Sequence, residues 1–278
     1  NKKDLDLINQ KSVDLYFKKN KISCVILAAA RVGGILANSK NQEIFLYENI
    51  MIQSNIIYCC NKYNIKKLIF LGSSCIYPKN ILKPIKENML LTSKLEETNE
   101  GYALAKISGI KLCEFYNKKF NRDYICLMPT NLYGPKDNFD PKSSHVIPGL
   151  IHKIHKAKKL NKKNVVLWGT GKPLREFMHV DDLAKAIIFF LNLPKKKRSS
   201  NFLFNIGTKE ELTIKNLSNI IRSIISYKGN IIFDKVHPDG VKKKLIDSSL
   251  AYNLGWKPLI SLEKGLFSTY RWYLNNKI

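Results

Sequence analysis

Two apolar runs stand out along the chain. Residues 24–30 read CVILAAA and residues 66–74 read KKLIFLGSS; each is too short for a helix and closes on small residues. Such runs mark strands covered on both faces. A third, DYICLMPTNLYGP at 123–135, runs into a Gly-Pro turn. Between them lie helical patterns at 41–63 and 101–119, and a shorter one precedes the first strand at 10–19. The 41–63 segment carries apolar residues on more than one face. Strands alternating with helices predict an α/β fold with a parallel sheet wound on both faces. Right-handed crossovers make it Rossmann-type.

Beyond residue 135 the pattern continues with helix 145–160, strand 164–171, helix 178–193, strand 202–208, helix 212–225 and strand 230–234. A polar loop with Pro238, Asp239 and Gly240 follows, then a last helix at 261–275. The expected division is a cofactor-binding part, 1–132 and 176–208, and a smaller substrate part, 133–175 and 209–278. No internal repeat occurs.

With 278 residues, 45% of them apolar, the chain is long enough for a real core. Its net charge of +25 points to anionic partners. The lysines are scattered over polar faces, and no aromatic-rich basic motif appears, which argues against nucleic acid. PKKKRSS at 194–200 reads as a solvated loop. No apolar run reaches the ~18 residues of a membrane span, and no signal peptide is visible. The six cysteines form no C-x-x-C pair. Reduced thiols in a cytoplasmic protein are expected, without disulfides or a metal site. There is no initiator Met, and the chain reads as a fragment.

Candidate chemistry begins with EGYALAKISG, residues 100–109. Tyr102 and Lys106 share a helix face. A phenol holds its proton until about pH 10, and a nearby ammonium lowers that value. The strand ending in LGSSCIYP, 71–78, precedes this helix. Ligands of parallel sheets sit at the carboxyl ends of strands, so Ser73, Ser74 and Cys75 fall where Tyr102 and Lys106 can meet them.

The Ser73, Tyr102 and Lys106 set resembles the extended short-chain dehydrogenase/reductase family. AAARVGGILAN, GSSCIYPK, MPTNLYGP, SHVIP, VVLWGTGKPLREFMHVDD and PDG occur in this order. They resemble the GDP-L-fucose synthase branch of that family along nearly the whole chain. Two departures matter. Gly101 stands where Pro is expected and should loosen the helix entry. The G-x-x-G-x-x-G turn is absent, and Arg31 to Gly34 follows a later strand. The branch's first strand, helix and second strand are expected upstream of Asn1. Without them, productive NADPH binding is not expected, and the sheet should show an unpaired edge and a gap.

The resemblance implies NADPH-dependent conversion of GDP-4-keto-6-deoxy-D-mannose to GDP-L-fucose. C3 and C5 are inverted first, with Cys75 as base and His145 as acid. The C4 keto group is then reduced, with Tyr102 giving the proton and Ser73 assisting. Lys106 would lower the Tyr102 pKa and hold the nicotinamide ribose. Leu71, Gly72, Ser73, Ser74, Pro129, Thr130, Asn131, Leu132 and His145 match cofactor contacts. Lys153, Trp168, Arg175 and Asp239 match GDP-sugar contacts. A homodimer through helix 41–63 and the Tyr102 helix is expected. One alternative is another nucleotide-sugar epimerase, dehydratase or reductase; the Cys75 and His145 pair argues against a simple 4-epimerase. A second is a non-catalytic basic binding protein on a decayed Rossmann fold, against which the intact Ser73, Tyr102 and Lys106 set argues.

Overall fold

The computed structural model describes residues 4–81, 83–141, 143–236 and 243–276. In chain order it begins with α1 (Gln10–Lys19), β1 (Cys24–Leu27), α2 (Ile35–Lys40), α3 (Gln42–Lys62) and β2 (Lys67–Leu71). Next come α4 (Glu100–Phe120), β3 (Asp123–Pro129), β4 (Asn131–Tyr133), α5 (Val146–Lys159), β5 (Asn164–Trp168), β6 (Leu174–His179) and α6 (Val180–Asn192). The chain continues with β7 (Leu203–Ile206), β8 (Glu211–Thr213), α7 (Ile214–Ile225), β9 (Asn230–Asp234), β10 (Lys243–Lys244), α8 (Ser249–Asn253) and α9 (Leu262–Asn276).

The main sheet has the order β1-β2-β3-β7, all parallel. Parallel neighbours need crossovers, and α3 and α4 supply them between β1 and β2 and between β2 and β3. Side chains alternate between the two faces. Leu68, Phe70, Tyr124, Cys126 and Met128 meet Val13, Phe17, Ile57, Cys60, Ile110 and Cys113 from α1, α3 and α4. Ile69, Ile125, Leu127, Phe204 and Ile206 meet Leu183, Ala186 and Phe190 of α6 on the other face, with Ala251 and Trp256. Coverage on both faces is why these strands read as unbroken apolar runs.

A second layer carries its own core. Ile147, Ile151 and Ile154 of α5 pack with Leu217, Ile221 and Ile225 of α7 and with Leu266, Tyr270 and Tyr273 of α9. It contains the parallel pair β5-β9 and the sheet β10-β6-β4, with β8 antiparallel to β6.

Several predicted boundaries move, for tertiary reasons. Strand 24–30 stops at Leu27, whose partner is Phe70. β1 pairs directly with β2. Its other edge has no strand among the described residues, and Ile26 is 44% exposed on the face away from α1 and α3. The 123–135 run divides: Thr130 N–H closes on the Ile206 carbonyl, and β4 then joins β6. Residues 178–179 are strand and not helix. β6 bonds to β4, β8 and β10, and α6 begins only at Val180, where the His179 ring accepts the Asp181 N–H.

Gly101 does not loosen the start of α4. A Cβ there would lie 2.5 Å from the Gln42 carbonyl oxygen. The missing side chain lets α4 approach α3 closely, and the Gly101 N–H donates to Gln42 Oε1 at 2.9 Å. Proline would supply neither the space nor the donor.

Candidate active site

The site grows from the carboxyl ends of β2 and β3. After Leu71 the chain leaves β2 through Gly72 and Ser73 into a short 3-10 turn, Ser74–Ile76. The Ser73 hydroxyl accepts the Cys75 N–H at 3.2 Å and fixes this turn. Tyr102 and Lys106 lie on the first two turns of α4. The Lys106 ammonium donates to the Leu71 carbonyl at 2.9 Å and stands 4.8 Å from the Phe70 ring and 5.8 Å from the Tyr102 ring. Ser73, Cys75, Tyr102 and Lys106 therefore converge.

Their protonation differs from the expectation. Burial pushes the Tyr102 phenol above its ordinary value, and charge on Cys75 raises it further; the Ser73 hydrogen bond only partly offsets them. Lys106 does not pull the phenol down. Burial instead lowers Lys106 itself, to about 8. The phenol therefore holds its proton at neutral pH, beside a lysine whose pKa burial brings down to about 8.

Cys75 shows the opposite balance. Burial acts to raise its pKa, but the Lys244 ammonium and hydrogen bonds from Ser73, Lys244 and Asn99 outweigh it and hold the thiol below its usual value. Lys244 Nζ lies 3.3 Å from Cys75 Sγ. Asn99 Oδ1, beside it, is buried without a hydrogen-bond partner.

The remaining predicted residues that the structure describes lie on or beside β3, β4, β5, β6 and α5. Thr130 is buried, and its hydroxyl and the Asn131 amide both donate to the Glu176 carbonyl, at 3.1 and 2.9 Å. Pro129 ends β3 and Leu132 pairs with Met178. His145 is the exposed N-cap of α5. Two turns later Lys153 Nζ stands 4.7 Å over the Trp168 ring at the end of β5. Burial lowers the Lys153 pKa. Arg175 lies on β6, with Nη1 on the Leu174 carbonyl at 2.8 Å. Asp239 falls outside the described residues.

Three residues escaped the sequence reading: Lys244, Asn99 and Glu176. Glu176 is fully buried, and its carboxylate accepts the Thr208, Lys209 and Ile246 N–H groups at 2.6, 2.9 and 3.3 Å. Burial raises its pKa, and those backbone donors oppose the rise. A Cβ on Gly207 would collide with this carboxylate. Lys244 follows two other lysines and has no local signature.

Residues 1–207 match the NAD dependent epimerase/dehydratase family. The chain is 48% identical to the GDP-L-fucose synthase of Escherichia coli K12 over 99% of this chain and 87% of that protein. The chain belongs to the GDP-L-fucose synthase group of the NAD dependent epimerase/dehydratase family. GDP-L-fucose synthase 1 of Arabidopsis thaliana is 49% identical, over 98% of this chain and 83% of that protein. The solved GDP-L-fucose synthetase of Naegleria fowleri bound to NADP is 31% identical, with a TM-score of 0.89 over 100% of this chain and 84% of that one. The family's parallel sheet is the one described here, and the Ser73, Tyr102 and Lys106 cluster lies at its carboxyl ends. Among the described residues, no helix is long and apolar enough to cross a membrane.

Proposed function

We propose that this chain makes GDP-L-fucose from GDP-4-keto-6-deoxy-D-mannose with NADPH, inverting C3 and C5 and then reducing C4. The observation that carries this reading is the contact cluster of Ser73, Cys75, Tyr102 and Lys106 at the ends of β2 and α4. The group's relatives named GDP-L-fucose synthase, and the NADP-bound neighbour, support the substrate and the cofactor.

The residues present suit the nicotinamide and its ribose. Lys106 is held at the Leu71 carbonyl beside the Ser73 and Tyr102 hydroxyls, and the segments 71–74 and 129–132 flank them on adjacent strands. In the loop after β1 the Arg31 N–H is taken by Asn49 Oδ1, and the Asn38 amide donates to the Gly33 and Gly34 carbonyls. Bound NADPH supplies a hydride to C4.

Inversion comes first in this reading. Cys75, as thiolate, takes a proton from carbon beside the keto group, and the bonding pair enters an enolate. His145 returns a proton from the other face; an imidazole suits this near neutral pH. Inversion at both carbons repeats the exchange. In the reduction, Tyr102 gives its proton to the C4 oxygen, with Ser73 bonded to the phenol. Lys153 and Arg175 bind the diphosphate, Arg with its forked donors. Trp168 forms a wall for the nucleotide sugar, and Asp239 takes a ribose hydroxyl. We assign residues 1–132 and 176–208 to the cofactor part, and 133–175 and 209–278 to the substrate part. The six free cysteines support a cytoplasmic setting.

Solvent deuterium exchange at C3 and C5 of the keto sugar tests the first half. Cys75→Ala and His145→Ala lower it by ~10²-fold or more, the usual effect of removing a proton-transfer group. Undiminished exchange in Cys75→Ala sinks the assignment of the base.

A homodimer completes the reading. Tyr47, Met51 and Tyr58 share one face of α3, and Leu104 and Phe115 one face of α4. All but Met51, which is partly buried, are exposed. α3 and α4 pack side by side, and two protomers joined through these faces form a four-helix interface. Light scattering at micromolar concentration is expected to give twice the chain mass; a monomer mass there counts against it.

A further inference from the structure

We propose that Lys244 is a positioning residue that holds Cys75 in its proton-accepting form. The inference rests on the reading of Cys75 as the base. Lys244 ends a three-lysine run and looks solvated in the sequence, but its backbone is fixed on several sides. β10 pairs with β6, with Lys244 opposite Arg175. Next to it, Lys243 Nζ is bound to Glu211 Oε1 at 2.8 Å. The following residues are stitched down as well. Ile85 N–H donates to the Leu245 carbonyl at 2.9 Å, Ile246 N–H to Glu176 Oε2 at 3.3 Å, and Asp247 N–H to the Ile85 carbonyl at 2.8 Å. This anchoring aims the Lys244 ammonium at Cys75 Sγ, 3.3 Å away.

The surroundings of the sulfur favour this role. Ser73 on its own loop and Asn99 before α4 offer neutral donors, and Tyr102 faces it from α4. Lys244 from β10 is the largest influence opposing burial at the thiol. Cys75 is half-buried, and a thiolate drawn out of water without a counter-charge is disfavoured. The step is a plain proton transfer. An S–H bond forms as a C–H bond beside the ketone breaks, the electron pair passes to the enolate, and no proton passes to or from Lys244. Its ammonium stabilises the thiolate before transfer and releases it as the charge moves to substrate.

The test is the pH dependence of Cys75 alkylation by iodoacetamide, followed at the Cys75 peptide by mass spectrometry. Lys244→Met raises the midpoint by about one unit and lowers the rate at pH 7 by about tenfold. Lys244→Arg stays near the unsubstituted protein, and Lys243→Met leaves the midpoint in place. An unshifted midpoint in Lys244→Met overturns the proposal. If that variant opens the fold, seen as alkylation of buried Cys60 and Cys113, Lys244→Gln is judged by the same midpoint. Deuterium exchange separates the two readings. A shifted midpoint with undiminished C3 and C5 exchange overturns Cys75 as the base, whereas an unshifted midpoint overturns the role of Lys244 alone.

Discussion

Replacing Tyr102 by phenylalanine, in a chain that carries the segment expected upstream of Asn1, lowers keto reduction by ~10²–10⁴-fold, the usual worth of one positioned proton donor. The substitution removes a single hydroxyl. The Tyr102 ring, its 5.8 Å spacing from Lys106 Nζ, and the Lys106 bond to Leu71 all remain. Binding of the GDP-sugar is therefore expected to change little, because Lys153, Trp168 and Arg175 lie in the second layer. The loss falls on the rate of reduction and not on affinity. NADPH oxidation with the keto sugar measures the first, and calorimetric titration with GDP-sugar the second. Deuterium exchange at C3 and C5 survives in Tyr102→Phe, because inversion runs through Cys75 and His145. Wild-type NADPH oxidation in this variant would remove Tyr102 from the mechanism.

The second large effect is on stability. Glu176→Ala is expected to cost roughly 3 kcal/mol, because it empties a fully buried site and leaves the buried Ile246 N–H and the part-buried Thr208 and Lys209 N–H groups without acceptors, at about 1–3 kcal/mol for a buried one. The carboxylate joins the 208–209 turn to the segment beyond β10, bonding Thr208, Lys209 and Ile246. Without it, the segment that aims Lys244 at Cys75 loses one of its anchors. Denaturant unfolding followed by circular dichroism reads this as a lower midpoint with little change in slope. A Glu176→Ala midpoint equal to that of the unsubstituted protein would show that the hub carries no net stability. The hydroxyl of Thr130 and the amide of Asn131 bind the backbone carbonyl of Glu176, and the Thr130 hydroxyl also acts on its carboxylate, so the contacts to the backbone carbonyl at 130–131 are expected to persist.

Residues close in the chain account for what was legible beforehand. The runs at 24–27, 67–71 and 123–129 declared themselves as doubly covered strands, because both faces of each are apolar. Tyr102 and Lys106 declared their shared face through helical spacing alone. Residues 178–179 were misread because their membership in β6 depends on β4, β8 and β10, which come from three distant stretches. Gly101 was misread because its reason is the Gln42 backbone, 59 positions away.

By itself, then, the sequence determined the alternation of elements, the parallel sheet and the place of Ser73, Cys75, Tyr102 and Lys106 at its carboxyl ends. Periodicity and turn chemistry act over a few residues and leave a local trace. Only the tertiary structure decided the protonation of these groups. Tyr102 is raised and Lys106 lowered chiefly by burial, and burial is a property of the assembled layers. The Cys75 partner was decided there too: Lys244 lies 169 positions away, and no local pattern distinguishes it from the lysines beside it. The Lys244–Cys75 contact depends on how β10 docks on β6, beside a buried carboxylate, Glu176, whose bonds exist only once all three segments have met.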